Sequence, residues 1–328
     1  MSCREGVAPV EGPMTPTALI FSDLASVRLP ERPAHLAIGM FDGVHRGHRA
    51  VIESAVHAAR ASGGLAGVLT FWPHPSRLFR PDDPVRTIFA PDARRELLQE
   101  LGVDFIIEQP FTREFAGVEA EDFVRTLQQA IPRIQSLHVG ENWRFGRGRR
   151  GDVEMLAHLT RAAGLNLVSL ARLNYHGAPV SSTRIRESIE RGAMGEAAEL
   201  LGFPYYCTGR VVEGRKVGRS IGFPTLNLDW QPDLRPAFGV YVVEIRAAKG
   251  GPLLPGVANF GVRPTVDGTG APLLEVHVLR DCPFGPGDHV RVEWRHRLRG
   301  EEKFPSLDAL RGQIARDRDA AIAYLHFP

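Results

Sequence analysis

HLAIGMFDGVHRGHR, residues 35–49, carries a short apolar run from His35 to Ile38 that breaks into a glycine-rich turn with two histidines three residues apart. The run predicts a buried strand. Gly39, Gly43 and Gly47 supply positions where backbone can approach a ligand closely or take positive φ. From Arg46 to Arg60 the apolar residues Val51, Ile52, Ala55, Val56 and Ala59 recur at helical spacing, which predicts a helix with His45 and His48 at its first turn. The free amides and positive dipole of a helix start favour bound phosphate, and two imidazoles can add hydrogen bonds to charge developing on it. Taken alone, the HxxH spacing also fits a solvated turn, or two metal ligands whose further partners are not evident nearby.

Around this stretch the chain has 328 residues, 43% of them hydrophobic, enough for two domains with their own cores. With 40 basic and 38 acidic residues the net charge is only +2, so small anionic ligands fit better than nucleic acid. Cys3, Cys207 and Cys282 are few, odd in number and without metal spacing, which argues for a reducing compartment, with cytoplasm as the expectation. No apolar run is long enough to span a membrane, and no signal-peptide core opens the chain. Residues 1–16 read as a disordered extension, with Met14 an alternative start.

The strand-then-helix period continues through the first half. Strands are expected at 65–71, 103–108, 136–139 and 165–170, and helices at 91–101, 119–130 and 152–163. This alternation predicts a parallel sheet covered on both faces, with ligands beyond the carboxyl ends of its strands. Three further segments are placed to reach that edge. FWPHP, 71–75, holds His74 between prolines, as a rigid surface turn would too; GENWRFGRGRRGD, 140–152, suits adenine and phosphates or a basic solvated loop. VSSTRIR, 180–186, opens a helix with Ser181 or Ser182 as N-cap; it is an ordinary capping pattern unless Arg186, one turn in, faces a phosphate.

GMFDGVHRGH between strand and helix resembles the HxGH signature of the nucleotidylyltransferase superfamily, and its Phe41-Asp42-Gly43 prefix resembles that of bacterial FAD synthetases. FDGVHRGH, TFWPHP, VGENWRFGRGRRGD and VSSTRIR follow, in order, the pattern of the FMN adenylyltransferase module of that family. The resemblance implies a Rossmann-like α/β fold over 17–186. It implies that Gly39, Phe41, Asp42, Gly43, His45 and His48 meet ATP phosphates, that Asn142 lies at the nucleotide and flavin pockets, and that Ser182, Thr183 and Arg186 close on the phosphates. No cysteine or lysine stands in a motif as nucleophile, so direct in-line attack of the FMN phosphate on the α-phosphorus of ATP is expected, with release of pyrophosphate.

Residues 187–203 read as a linker of short helices. From 204 to 328 the pattern changes to short strands at 205–212, 240–246, 255–259, 273–279 and 289–295, separated by glycine and proline turns, then a helix at 306–325. Successive strands without helices predict an antiparallel β-barrel. Its densest stretch, GRVVEGRKVGRSIGFPTLNL, spaces Gly214, Gly218 and Gly222 around Lys216 and Arg219 before Phe223-Pro224-Thr225. Such a loop can cradle phosphates or simply connect a hairpin. Thr225 and Asn227 share one face of an extended segment, as Mg²⁺ ligands or an ordinary polar face would, and Glu275 faces away from Leu274 and Val276 as a base or a solvated carboxylate.

GRSIGFPTLN, PGVANFGVRPT, LLEVHV and RLRGEEKFPSLDALRGQIARD together resemble the riboflavin kinase module. That resemblance implies Mg²⁺ held by Thr225 and Asn227 with the ATP phosphates, and Glu275 as general base on the ribityl hydroxyl. RDCPFGPGD, 280–288, departs from the family in lacking a tyrosine, and Leu226 replaces the usual alanine. The expected function is phosphorylation of riboflavin to FMN and adenylylation of FMN to FAD, on small-molecule substrates, with oligomeric state left open. The alternatives are a chain with only the adenylyltransferase active, or a flavin- or nucleotide-binding carrier without turnover.

Overall fold

The computed structural model describes residues 18–214, 222–262 and 272–326. It divides into two compact units: one takes the chain up to 40, 48–84 and 95–171, the other 41–47, 85–94 and the chain from 172 onward.

In the first unit six strands, β1 (Leu19–Phe21), β2 (Ala34–Ile38), β3 (Leu65–Trp72), β4 (Phe105–Pro110), β5 (Ile134–Gly140) and β6 (Asn166–Leu170), form one sheet in the order β1-β4-β3-β2-β5-β6. Every pairing is parallel. All five residues of β2 are buried, as both faces of a covered parallel strand require. The strand order reverses at β2, between β3 and β5, so the loops leaving β2 and β5 flank the switch point where ligands of such sheets bind.

The expected helices are present as α1 (Arg46–Ser62), α3 (Pro91–Glu100), α5 (Phe123–Ala130) and α6 (Val153–Ala162), with short α2 (Ser76–Phe79) and α4 (Arg113–Ala116) between them. The run expected as one helix over 119–130 begins instead as a 3-10 turn at Ala120–Asp122. The edge strand β1 escaped the sequence reading: it is three residues long, and Leu19 and Ile20 are exposed.

In the second unit a hairpin of β7 (Asn174–Tyr175) and β8 (Ala178–Pro179) leads into α7 (Ser182–Glu190) and α8 (Met194–Leu201). Then β9 (Tyr206–Val212), β10 (Leu226–Asp229), β11 (Gly239–Ala247), β12 (Leu254–Val262), β13 (Pro272–Val278) and β14 (His289–Arg299) close an antiparallel barrel, and α9 (Leu307–Tyr324) follows. Ser306 caps α9, accepting from the Ala309 amide at 3.1 Å. Arg299 of β14 meets Asp317 of α9 in a forked ion pair, Nε to Oδ1 at 3.0 Å and a terminal nitrogen to Oδ2 at 2.8 Å, both side chains largely buried. The departing stretch 280–288 is a tight turn, with the Gly285 amide on Asp288 Oδ2 at 2.8 Å and the Gly287 amide on the Val211 carbonyl at 2.8 Å.

A polar chain threads the core between α1, β2 and β5. Ser54 donates to the Val51 carbonyl at 2.8 Å, so it accepts from His138 Nδ1 at 2.7 Å. His138 Nε2 then accepts from Ser136 at 2.7 Å, Ser136 accepts from His35 Nδ1 at 2.7 Å, and His35 Nε2 accepts at 2.8 Å from the Ser62 hydroxyl, which gives its proton to the ring rather than to the Ala59 carbonyl at 3.2 Å. Both imidazoles are neutral in this assignment, each with its single N–H used. Burial lowers both histidines, His138 to about 4, with the neighbouring His35 adding to the effect on His138. A histidine lowered by folding stabilises the protein fully above its ordinary value near 6.5, and that contribution is lost as pH falls toward the folded value. Thermal unfolding should therefore show the first unit weakening between pH 7 and pH 4.5, and Ser136→Ala should cost about 1–3 kcal/mol at pH 7 by leaving both rings short of a partner. A melting temperature flat across that range would contradict the assignment.

Candidate functional sites

The turn after β2 is held in unusual backbone. Gly43 has φ of 88°, and a Cβ there would stand 2.8 Å from Ile88 Cδ1. Of the three glycines singled out in the turn, Gly43 alone takes positive φ; two neighbours with side chains, Phe41 at 46° and Val44 at 42°, share that region. Positive φ at a β-branched residue is costly and persists only where surrounding contacts over-determine it. Phe41, Asp42, Val44 and His45 are all buried, which supplies such contacts.

Asp42 is the centre of those contacts. Its Oδ2 accepts from an Arg186 terminal nitrogen at 2.7 Å, its Oδ1 from the Ile88 amide at 2.9 Å, and its main-chain carbonyl from Ser182 Oγ at 2.8 Å. Ser181, not Ser182, caps α7, accepting from the Arg184 amide at 3.3 Å. Ser182 is thereby free of the capping role and ties the start of α7 to the turn. Thr183 is exposed beside it. Arg186 also donates from Nε to the Arg86 carbonyl at 2.8 Å.

Burial lowers the His45 imidazole to about 4, the Arg186 guanidinium acting in the same direction against a hydrogen bond with its own backbone. Near neutral pH His45 is therefore an uncharged donor or acceptor, and Arg186 brings a positive charge to the turn through Asp42. α1 begins at Arg46, so His48 lies within its first turn and His45 just ahead of it. Gly39 sits at the end of β2, its amide on the Leu69 carbonyl at 3.1 Å.

In the first unit a cavity of about 580 Å³ opens among loops at the carboxyl ends of the sheet, lined by Met40, His74, Asn142 and a set of aromatic rings. Trp143 and Phe145 stack at 4.8 Å and 12°, Phe123 leans on both, and Phe79 stands 65% exposed beside Phe111. His74 Nδ1 accepts from the Ser76 amide at 3.1 Å, so the prolines around it stiffen a turn that the histidine itself closes. Such a slot suits a flat, polarisable ring. A larger hollow of about 640 Å³ near Arg28, Arg32 and Arg133 contains none of the motif residues.

In the barrel a third cavity of about 420 Å³ lies between the outer face and α9, lined among others by Thr225, Asn259, Glu275, His277 and Arg299. Register places Asn227 opposite Glu275, and Glu275 opposite Asn259, so the three share one face across β10, β13 and β12. Asn227 is buried, and a Cβ at Gly214 would overlap its amide, which is the reason for glycine there. Leu226 lies on the opposite face of β10 from Thr225 and Asn227, as alternation requires. His277 Nδ1 donates to the Pro224 carbonyl at 2.8 Å and holds the Phe223-Pro224 turn. Gly222 takes φ of 87° ahead of that turn. Lys216, Gly218 and Arg219 lie outside the described residues.

Thr225 and Asn227 offer a hydroxyl and an amide oxygen, hard donors of the kind Mg²⁺ accepts alongside water and phosphate oxygens. No cluster of three or more His, Cys, Asp or Glu able to hold a metal occurs among the described residues. Missed from sequence were the 86–88 backbone, the Arg299–Asp317 pair and most of the aromatic slot. None has a motif: the 86–88 backbone meets Asp42 and Arg186 across 46 and 100 residues, and Arg299 of a strand meets Asp317 of a helix 18 residues on.

Sequence patterns of the FAD synthetase family match residues 28–184, and those of riboflavin kinase match residues 201–325. A bifunctional riboflavin kinase/FMN adenylyltransferase of Escherichia coli K12 is 38% identical over 88% of this chain and 91% of its own length. That of Haemophilus influenzae is 35% identical over 89% and 94%. A crystal structure described as a macrolide-efflux protein from Streptococcus pneumoniae is 29% identical, with a TM-score of 0.83 over 93% of this chain and 98% of that one. Among the described residues no helix is long and apolar enough to cross a membrane. With both family patterns in sequence along one chain, and relatives matched over nearly their full length, the chain belongs to the bifunctional riboflavin kinase/FMN adenylyltransferase family.

Proposed function

We propose that the two activities of the family, phosphorylation of riboflavin to FMN and adenylylation of FMN to FAD, are carried here by two separate constellations. The observation that carries the adenylyl-transfer assignment is Arg186, held at the start of α7 against the HxGH turn by a buried carboxylate. The turn from Gly39 to His48, with Ser182, Thr183 and Arg186, is assigned to the ATP phosphates. Asn142 and the aromatic cavity are assigned to the planar rings of the substrates.

The physics divides the labour. Arg186 supplies fixed positive charge, while His45, uncharged near neutral pH, supplies a directional hydrogen bond. His48, in the first turn of α1, is assigned to the α-phosphate, because the amides of a helix start favour an anion there. With no side-chain nucleophile in any motif, the FMN phosphate attacks the α-phosphorus directly and pyrophosphate leaves. Catalysis is positioning plus stabilisation of charge.

In the barrel, Glu275 is assigned as the base that takes the proton from the terminal ribityl hydroxyl, and Thr225 and Asn227 as the residues that hold Mg²⁺ beside the ATP phosphates. The ion would neutralise charge on the transferring phosphoryl group. Gly214, Gly222 and Pro224 shape the segment bearing those ligands, and Lys216, Gly218 and Arg219 are assigned to the phosphates from sequence alone.

A time course with riboflavin, ATP and Mg²⁺ should show FMN rising first and FAD following. His48→Ala should slow FAD formation about 100- to 1,000-fold and spare FMN formation; Glu275→Gln should do the reverse, supplied FMN still becoming FAD. Appearance of FAD from FMN but never of FMN from riboflavin would leave only the adenylyltransferase, and neither product would make the chain a carrier.

The buried pair has its own test. Removing one member of such a pair strands a charge and typically costs about 3–5 kcal/mol. Asp42→Ala should therefore destabilise the protein more than the double change Asp42→Ala with Arg186→Met, as read by chemical denaturation. A double variant no more stable than the single one would show that the two charges do not depend on each other.

A further inference from the structure

Three consecutive residues, Arg86, Thr87 and Ile88, carry the backbone that braces Arg186 and Asp42. The Arg86 carbonyl accepts from Arg186 Nε at 2.8 Å, and the Ile88 amide donates to Asp42 Oδ1 at 2.9 Å. The peptide joining Arg86 to Thr87 has its carbonyl on the guanidinium and its N–H, on the opposite side, donating at 2.8 Å to Asp233 Oδ2. Thr87 Oγ1 donates to the same oxygen at 2.9 Å. Asp233 lies between β10 and β11, 146 residues from Thr87, in a connection of the barrel.

The alignment has a consequence for charge. A carboxylate on the N–H side of a peptide and a guanidinium on its carbonyl side polarise that peptide in the same sense, so each strengthens the other's hydrogen bond. Thr87 is buried, which keeps water from replacing the carboxylate at its amide, and Arg86 is tethered at its other end to Glu190 of α7 at 3.1 Å. Asp42 alone fixes one edge of the guanidinium. The second edge, at Nε, depends on a carbonyl whose place is set by Asp233.

We propose that Asp233, supplied by the barrel, is a positioning residue for adenylyl transfer: through the 86–87 peptide it fixes the orientation of Arg186 toward ATP phosphate. The inference rests on the reading that Arg186 meets those phosphates, and it assigns the β10–β11 connection a part in the reaction of the other module.

The experiment measures FAD formation from FMN and ATP in the full-length protein, with FMN formation from riboflavin followed alongside. Asp233→Ala should lower kcat/KM for ATP in FAD formation about tenfold, the scale of one hydrogen bond to a charged group. KM for ATP should rise while KM for FMN and the rate of FMN formation hold. A variant that merely unfolds a fraction of the molecules would lower kcat with KM unchanged. Asp233→Asn keeps an acceptor oxygen without the charge and should recover part of the loss.

In an Arg186→Ala background, Asp233→Ala should have no further effect on FAD formation, because the route through the guanidinium is already gone. Independent, multiplying losses would overturn the proposal, as would an Asp233→Ala protein with unaltered kcat/KM for ATP. Should Arg186→Ala itself make FAD at the normal rate, the phosphate reading of Arg186 fails, whatever Asp233 does.

Discussion

Asp42 and Arg186 form a buried ion pair at 2.7 Å, and the geometry of the HxGH turn depends on it. A turn with Phe41, Gly43 and Val44 all at positive φ is a poor conformation for an isolated chain. It persists because Asp42 at its centre is satisfied on both carboxylate oxygens and on its main-chain carbonyl, by Arg186, Ile88 and Ser182 respectively. Burying two charges is expensive, and the attraction between them offsets that cost only when the remaining donors and acceptors are also matched. Here they are, and the match draws three segments remote in sequence to one place.

That arrangement also explains why the two kinds of basic residue in the motifs behave differently. A guanidinium stays charged under burial, whereas an imidazole in the same surroundings gives up its proton, as His45 does. In the phosphate site proposed for this turn, Arg186 would supply the fixed charge and His45 a neutral, directional partner near neutral pH. The barrel site follows another logic: oxygen donors and a carboxylate in register on three adjacent strands, roofed by α9 through the Arg299–Asp317 pair. A carboxylate on such a face repels phosphate, which is the physical reason for the Mg²⁺ proposed there.

Much of this was legible beforehand because periodicity is a local property. The α1 stripe, the apolar runs of β2 and β3, the change from alternating strand and helix to strand after strand, and the closing helix each depend on residues within a few positions of one another. β1 was not legible, since three half-exposed residues at a sheet edge have no period to read. Nor was the 3-10 start before α5, where Glu119 to Asp122 have helical composition but the chain tightens. In the turn itself, glycine content marked unusual backbone, and Gly43 takes positive φ; that Phe41 and Val44 share that region had no signal in the sequence.

The sequence by itself determined the two architectures, the family and the residue types able to do the chemistry, because hydrophobic period and motif order survive in one dimension. Only the tertiary structure decided how those residues are charged and held: that His45 is neutral, that Asp42 faces Arg186, that Ser181 caps while Ser182 bonds the turn, and that Asp233 reaches Thr87. Burial and hydrogen-bond partnership are set by groups brought together from distant parts of the chain, and no local pattern encodes which carboxylate will meet which amide.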